Sequence, residues 1–312
     1  MELLPTSIAA MRICCKQEKV VTNRTTQTRT HLTGALRRSA AVFGSQIDLA
    51  RGGDPKAIHR ARVATRRLRE ALAVTAAALG GEAAALRREF KGITAALGPV
   101  RELDVSRKLL LDLADDSSWP ADAVTRVEQH GLKERAATLD RLHDALDSDD
   151  AKSLVRRVRS VARDVKEMDA SSLAAVIASR YARRLREFTR ALQEAGTVYA
   201  GDRLHRVRIA AKKLRYLIEF SDTGNAEALR RLKRLQKILG KLHDAQMVQH
   251  HIDETAAGES VVGLYRSLRA MSRDLEAECR AWHGKALPLM LAPGALRRPV
   301  RMGAPARRKR SA

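Results

Sequence analysis

Two stretches of this chain repeat one another without a gap. Ile58-His59-Arg60-Ala61-Arg62-Val63-Ala64-Thr65-Arg66-Arg67-Leu68-Arg69 aligns with Leu204-His205-Arg206-Val207-Arg208-Ile209-Ala210-Ala211-Lys212-Lys213-Leu214-Arg215. Every basic position in one copy is basic in the other. A hydrophobic core explains recurring Leu and Ala, but not a His followed by cations at the same offsets, so the pattern points to function. At 100° per residue, Ala57, Ala61, Ala64, Leu68 and Leu72 form one apolar stripe of a helix. His59, Arg62, Arg66 and Arg69 gather on a second stripe at steps of three and four, with Arg60 and Arg67 further round. The second copy repeats the arrangement: Val207, Ala210, Leu214 and Ile218 are apolar, and His205, Arg208, Lys212 and Arg215 are cationic. Each row runs roughly 15 Å along its helix, with Glu70 and Glu219 the only carboxylates nearby. Asp54-Pro55 predicts an N-cap and first-turn proline for the first copy, and Asp202 the cap of the second.

A second element is also duplicated. Phe90–Gly98 aligns with Leu232–Gly240, placing Lys91 opposite Lys233, and Val100–Val105 then aligns with Leu242–Met247. The separation is only a few residues shorter than for the first element, so a loop length is what differs. Gly98 and Gly240 predict helix ends in a left-handed conformation. Each half then reads as helix, cationic helix, helix, glycine break, helix.

The 312 residues suffice for a substantial core. Helical periodicity runs nearly throughout and β-branched alternation is absent. The expectation is an all-α protein of two bundle-like halves related by an approximate twofold. Amphipathic segments fall at about 30–50, 122–146, 151–168, 172–196 and 260–283, which divides the chain into residues 29–170 and 171–290. Met1–Thr28 stands before them as a mobile segment, without a secretory signal pattern. Residues 291–312 follow as a basic tail, whose Pro293–Ala312 stretch holds Arg and Lys with no acid and is expected to be disordered. No stretch reaches eighteen apolar residues. Cys14, Cys15 and Cys279 make no disulfide framework, which suits a reducing cytoplasm.

The formal charge of +23 implies a polyanionic partner. Aromatic residues are only 3% of the chain, so the stacking platforms that single-strand binders use are scarce. A flexible chain of phosphates needs none: two rows of Arg and Lys hold successive phosphates, with Arg engaging oxygens in pairs. Duplex nucleic acid is the rival ligand, since it too is held through phosphates. The basic tail adds nonspecific attraction for either.

No metal site and no catalytic centre is expected. His243, Asp244, His250, His251 and Asp253 cluster in sequence, but their spacing matches no zinc pattern. There is no glycine-rich phosphate loop, no nucleophile elbow and no repeated carboxylate pair to hold magnesium. Glu102, Asp104 and Asp244 are read as acids that orient arginines through charge-assisted hydrogen bonds. His59 and His205 lie on the cationic stripes and are read as ligand contacts. Neighbouring arginines disfavour their protonation in the empty site, and a bound polyanion favours it.

The same residues resemble the conserved histidine α-helical, or CHAD, domain family. Its H-x-x-R-V-x-x-R-R-L-R signature is met by His59, Arg62, Val63, Arg66, Arg67, Leu68 and Arg69. The second copy meets it through His205, Arg208, Ile209, Lys212, Lys213, Leu214 and Arg215. Leu97–Val105 and Leu239–Met247 resemble its L-G-x-x-R-D-x-D-V element. Departures are Glu102 where Asp is usual, and Lys for Arg in the second helix, which keeps charge but loses the bidentate fork. The resemblance covers roughly residues 29–287. It implies two four-helix bundles about a pseudo-twofold, with the signature helices lining a basic central channel. It also implies binding of inorganic polyphosphate and association with polyphosphate granules. The binding set on this reading is His59, Arg62, Arg66, Arg67, Arg69, His205, Arg208, Lys212, Lys213 and Arg215, with Lys91 and Lys233 in support and no cofactor. Some members carry a triphosphatase-type tunnel domain. Its E-x-E-x-K strand motif is missing near the start here, so no catalytic activity is carried over.

Overall fold

Asp54 shows how the local signals place the helices. Its Oδ1 accepts a hydrogen bond from the Ala57 amide at 2.6 Å, and Pro55 occupies the first turn, so the cationic helix begins where cap and proline dictate. The turn before it needs Gly53, whose φ of 85° is left-handed and whose missing Cβ would lie 2.8 Å from Leu139 Cδ2.

The computed structural model describes residues 7–115, 120–195, 201–221, 226–255 and 262–291, with side chains from Thr26 onward apart from Gly201, residues 262–264 and those beyond Ala281. All of the elements in this span are helical: α1 (Ser7–Arg51), α2 (Pro55–Leu79), α3 (Gly81–Asp115), α4 (Ala121–Asp144), α5 (Ser148–Glu167), α6 (Ala170–Ala195), α7 (Gly201–Ser221), α8 (Ala226–Thr255) and α9 (Val262–Leu291). The all-α expectation holds. Residues 1–6 and the basic stretch beyond Leu291 lie outside the described residues, and the rest of the Met1–Thr28 segment forms the start of α1.

Two expectations are corrected. Gly98 and Gly240 do not end helices: α3 and α8 run straight through them, and the left-handed glycines are Gly53, Gly80 and Gly81. Gly98 lies where the Arg62 guanidinium rests on α3, and a Cβ there would meet it at 3.8 Å, an ordinary van der Waals contact. Asp202 sits inside the first turn of α7 rather than capping it.

The apolar stripes are buried as the periodicity requires. Ala57, Ala61, Ala64, Leu68 and Leu72 are inaccessible, as are Val207, Ala210, Leu214 and Ile218. They join one core that takes in residues of α1 through α9. Helix α1 is its spine, packing on α2 and α5 at one side and on α6 and α7 at the other. Arg29 donates to the Met168 carbonyl at 2.8 Å, and Thr28 to that of Ser221 at 3.2 Å, which ties α1 to the ends of α5 and α7. Helices α1 and α6, α2 and α7, and α3 and α8 meet pairwise across the middle. A smaller apolar cluster of Leu110, Val127, Val248, Ile252 and Leu268 joins α3, α4, α8 and α9.

Phe43 and Phe90 lock α1 to α3, edge to face at 5.3 Å between ring centroids and both fully buried. Truncating Phe90 leaves a cavity the surrounding helices cannot fill. Phe90→Ala is expected to lower stability by about 3–5 kcal/mol, read as a shift in the denaturant midpoint of the helical signal.

Candidate functional site

The four helices that carry the duplicated elements converge. Helices α2, α3, α7 and α8 enclose a cavity of ≈ 190 Å³ lined by His59, Arg62, Arg66, Arg101, Arg208 and His243, with Glu102, Asp244, Ser106, Val63, Val105 and Met247 between them. A larger cleft of ≈ 820 Å³ adjoins it, lined by Lys56, His59, Arg60, Arg101, Arg107, Lys108, Asp104 and Arg135 among others. His59 and Arg101 border both spaces. A row of cations therefore leads from the outer cleft to the inner cavity.

The inner charges are poorly compensated. Arg62 reaches Glu102 at 3.1 Å, yet its pKa falls to about 10 because burial and the nearby Arg66 outweigh that carboxylate. Lys212 is pushed down to about 6, first by burial and then by Arg66, Arg208 and Arg62. It is largely neutral at pH 7 in the empty protein. His243 falls to about 4 for the same reasons, led by burial and then by Arg208. His59 and His205 are both lowered, by burial first and next by Arg101 and Arg208 respectively. Asp244 moves the other way, raised by burial despite Arg208. Arg62 Nε, Arg208 Nε and Ser106 Oγ are buried without a hydrogen-bond partner, although such donors are nearly always satisfied in proteins. This arrangement gathers cationic side chains and unsatisfied donors around one space.

The expected binding residues divide into two sets. His59, Arg62, Arg66 and Arg208 line the cavity, Lys212 lies within their field, and His205 stands beside His243 with 5.8 Å between ring centroids. Arg69 is near enough to Arg66 and Arg87 for their charges to act on it. The others face elsewhere. Arg67 reaches Glu219 at 3.8 Å. Arg215 pairs with Glu219 at 2.7 Å and lies over the Tyr216 ring. Lys213 is near Glu187. Lys91 and Lys233 are exposed and line none of these spaces. Among the acids, Glu102 does orient Arg62. Asp104 instead holds Arg135 of α4 at 2.7 Å, and Arg135 donates in turn to the Gly53 carbonyl.

Arg101, His243 and Ser106 are cavity residues that the sequence reading did not include. The first two were marked by the duplication, because Arg101 aligns with His243 just as Glu102 aligns with Asp244, and all four line the cavity. Within the other histidine cluster, His243 and Asp244 belong to the cavity, whereas His250 and His251 approach Glu134 and Glu254.

Lys212 gives the site a measurable cost. Its folded pKa is depressed, so the unfolded chain binds a proton that the folded, empty protein lacks between about pH 6 and the ordinary lysine range. The penalty is fullest below that window and vanishes above it. Lys212→Met is therefore expected to raise the thermal midpoint of the empty protein, and to raise it more at pH 6 than at pH 9.

Comparison with known proteins agrees with this architecture. The fold is similar to the crystal structure of the CHAD domain from the plant Ricinus communis, with a TM-score of 0.58 and 20% identity over 81% of this chain and 92% of that one. It is also similar to PptA from Streptomyces chartreusis, with a TM-score of 0.51 and 16% identity over 82% of this chain and 96% of that one. No curated protein matches the sequence. The CHAD domain profile matches residues 34–253, which include both cationic helices and both glycine-containing elements, and the chain belongs to the CHAD domain family.

Proposed function

We propose that this protein binds inorganic polyphosphate, without cleaving it, in the cationic space between α2 and α7, and that binding places it on polyphosphate granules. The observation that carries the reading is the pair of buried guanidinium groups, Arg62 and Arg208, whose Nε donors find no acceptor in the protein. Phosphate oxygens supply both the charge and the acceptors. The family is one associated with polyphosphate. The cations also continue beyond the cavity in both directions. Lys56, Arg60, Arg107 and Lys108 line the outer cleft, and beyond Arg66 the charge of Arg87 acts on both Arg69 of α2 and Arg180 of α6. A chain of phosphates threaded through the cavity would meet charge at each step, and a cavity of ≈ 190 Å³ is far too small to take in a duplex.

A second reading rests on a separate surface. Arg37 and Arg38 of α1, with Arg156, Arg159 and Arg163 of α5, line an outer groove of ≈ 710 Å³. Among the described residues none of the five is paired with a carboxylate. Nonspecific duplex nucleic acid suits this open face, since it is held through phosphates alone.

Labelled long-chain polyphosphate, competed at physiological salt with duplex and single-stranded DNA, separates the two. Each of Arg62→Ala, Arg66→Ala and Arg208→Ala is expected to weaken polyphosphate binding about tenfold or more. The triple change should abolish it while leaving DNA binding in place. Equal competition by DNA, or an unaffected triple variant, would refute the cavity as the site.

Protonation gives an independent check. Bound phosphates raise the pKa of Lys212, His59, His205 and His243, so the complex takes up protons that the empty site lacks. Polyphosphate affinity is expected to strengthen as pH falls from 8 to 6, and the slope to flatten in Lys212→Met. A wild-type profile flat over that range would contradict the mechanism.

A further inference from the structure

A cluster of ligand-type side chains lies away from the cationic cavity, where α4 meets α8. On α4, His130 and Glu134 stand at i and i+4; on α8, His251 and Glu254 stand at i and i+3. The four side chains face one another. His130 Nε2 is 3.5 Å from Glu134 Oε1 and 3.9 Å from Glu254 Oε2. His251 Nδ1 is 3.5 Å from Glu134 Oε2 and 3.8 Å from Glu254 Oε2. His130, Glu134 and Glu254 each place a donor atom within 4.8 Å of the other two.

These separations are too long for good hydrogen bonds, and the geometry leaves polar atoms stranded. His251 is only 7% exposed, and both of its ring nitrogens lack a hydrogen-bond partner, as does His130 Nε2. His250 differs: it is exposed and lies 3.2 Å from Glu254 Oε1, as an ordinary surface pair does. The stranded distances suit a different purpose. Ligands bound tetrahedrally at about 2.0–2.2 Å from zinc lie roughly 3.3–3.6 Å apart; the His130–Glu134 edge is 3.5 Å and the His130–Glu254 edge, at 3.9 Å, is a little longer. The floor of the cluster is dry, because Val127, one turn before His130, and Ile252, next to His251, belong to the smaller apolar core.

We propose that His130, Glu134 and Glu254 form a site for a divalent transition-metal ion, with zinc the best fit to an imidazole and two carboxylates, which fastens α4 to α8, and that the stranded ring of His251 stands beside it. Two carboxylates offset the charge of the ion within a strongly basic protein, and imidazole selects zinc-like ions over magnesium or calcium. Asp244 of the cationic cavity lies ten residues before Glu254, roughly 15 Å along α8. The ion would therefore hold the helix that presents His243 and Asp244. It requires no polyphosphate and takes no part in its binding.

Titration of the full chain with cobalt(II) chloride and with zinc chloride tests the site. The protein is first freed of any polyanion, because phosphate oxygens chelate divalent cations. The expected result is one equivalent of cobalt bound, visible absorption of a tetrahedral nitrogen and oxygen site, and a higher thermal midpoint with zinc. Glu254→Gln on α8 and Glu134→Gln on α4 should each remove both signals while retaining the helical circular dichroism of the parent. Absence of stoichiometric binding in the parent overturns the proposal. So does binding that survives unchanged in either variant.

Discussion

Positive charge gathered between α2 and α7 sets the terms for the surrounding structure. Arg62, Arg66 and Arg208 crowd positive charge into a half-buried space and, with burial, draw the pKa of Lys212 down, and among the described residues Glu102 makes the direct ion pair with them. The protein holds them there because opposite charges are placed at the margins. Glu70 reaches Arg184 of α6 at 3.1 Å, and Arg184 also bonds Glu187. Glu219 takes both Arg67 and Arg215. Both sets join neighbouring helices without entering the cavity. The Arg184–Glu70 and Arg215–Glu219 pairs are largely withdrawn from water, so desolvation offsets much of their attraction, and most of the force that opposes the repulsion comes from the apolar stripes beside each cationic row.

That coupling explains why the same short segment carries both jobs. One face of α2 is Ala and Leu with almost no exposure, and the next face is His and Arg. Small alanines at Ala57, Ala61 and Ala64 let α2 approach its neighbours closely, which brings its cations near those of α7. On α3, Gly98 lies beneath the Arg62 guanidinium. Close packing of the core and crowding of the charges are thus one geometric condition.

Much of this was legible in the chain. Period and the Asp54-Pro55 cap place α2 and the burial of both stripes, and His59, Arg62, Arg66 and Arg208, which the gapless repeat singles out, line one cavity. The errors share a physical cause. Gly98 and Gly240 carried a helix-ending propensity that tertiary packing overrode. Arg67, Lys213 and Arg215 meet the sequence signature and stand beside Glu219 or Glu187 in the fold. His130 and Glu134 were invisible for a similar reason, because their counterparts on α8 lie more than a hundred residues away. One-dimensional spacing finds ligands that share a helix and misses those that two helices bring together.

Helix α1 has a consequence for how any occupant enters and leaves. A single 45-residue rod packs against the helices on both flanks of the cavity, and its contacts merge into one core. Walls joined in this way do not swing apart as lobes on a hinge do. On the polyphosphate reading proposed above, admission to the cationic space becomes a question of thickness and flexibility rather than of closure around a guest. A long thread held there would leave by sliding along its own axis, so its residence would grow with its length even with each local contact unchanged.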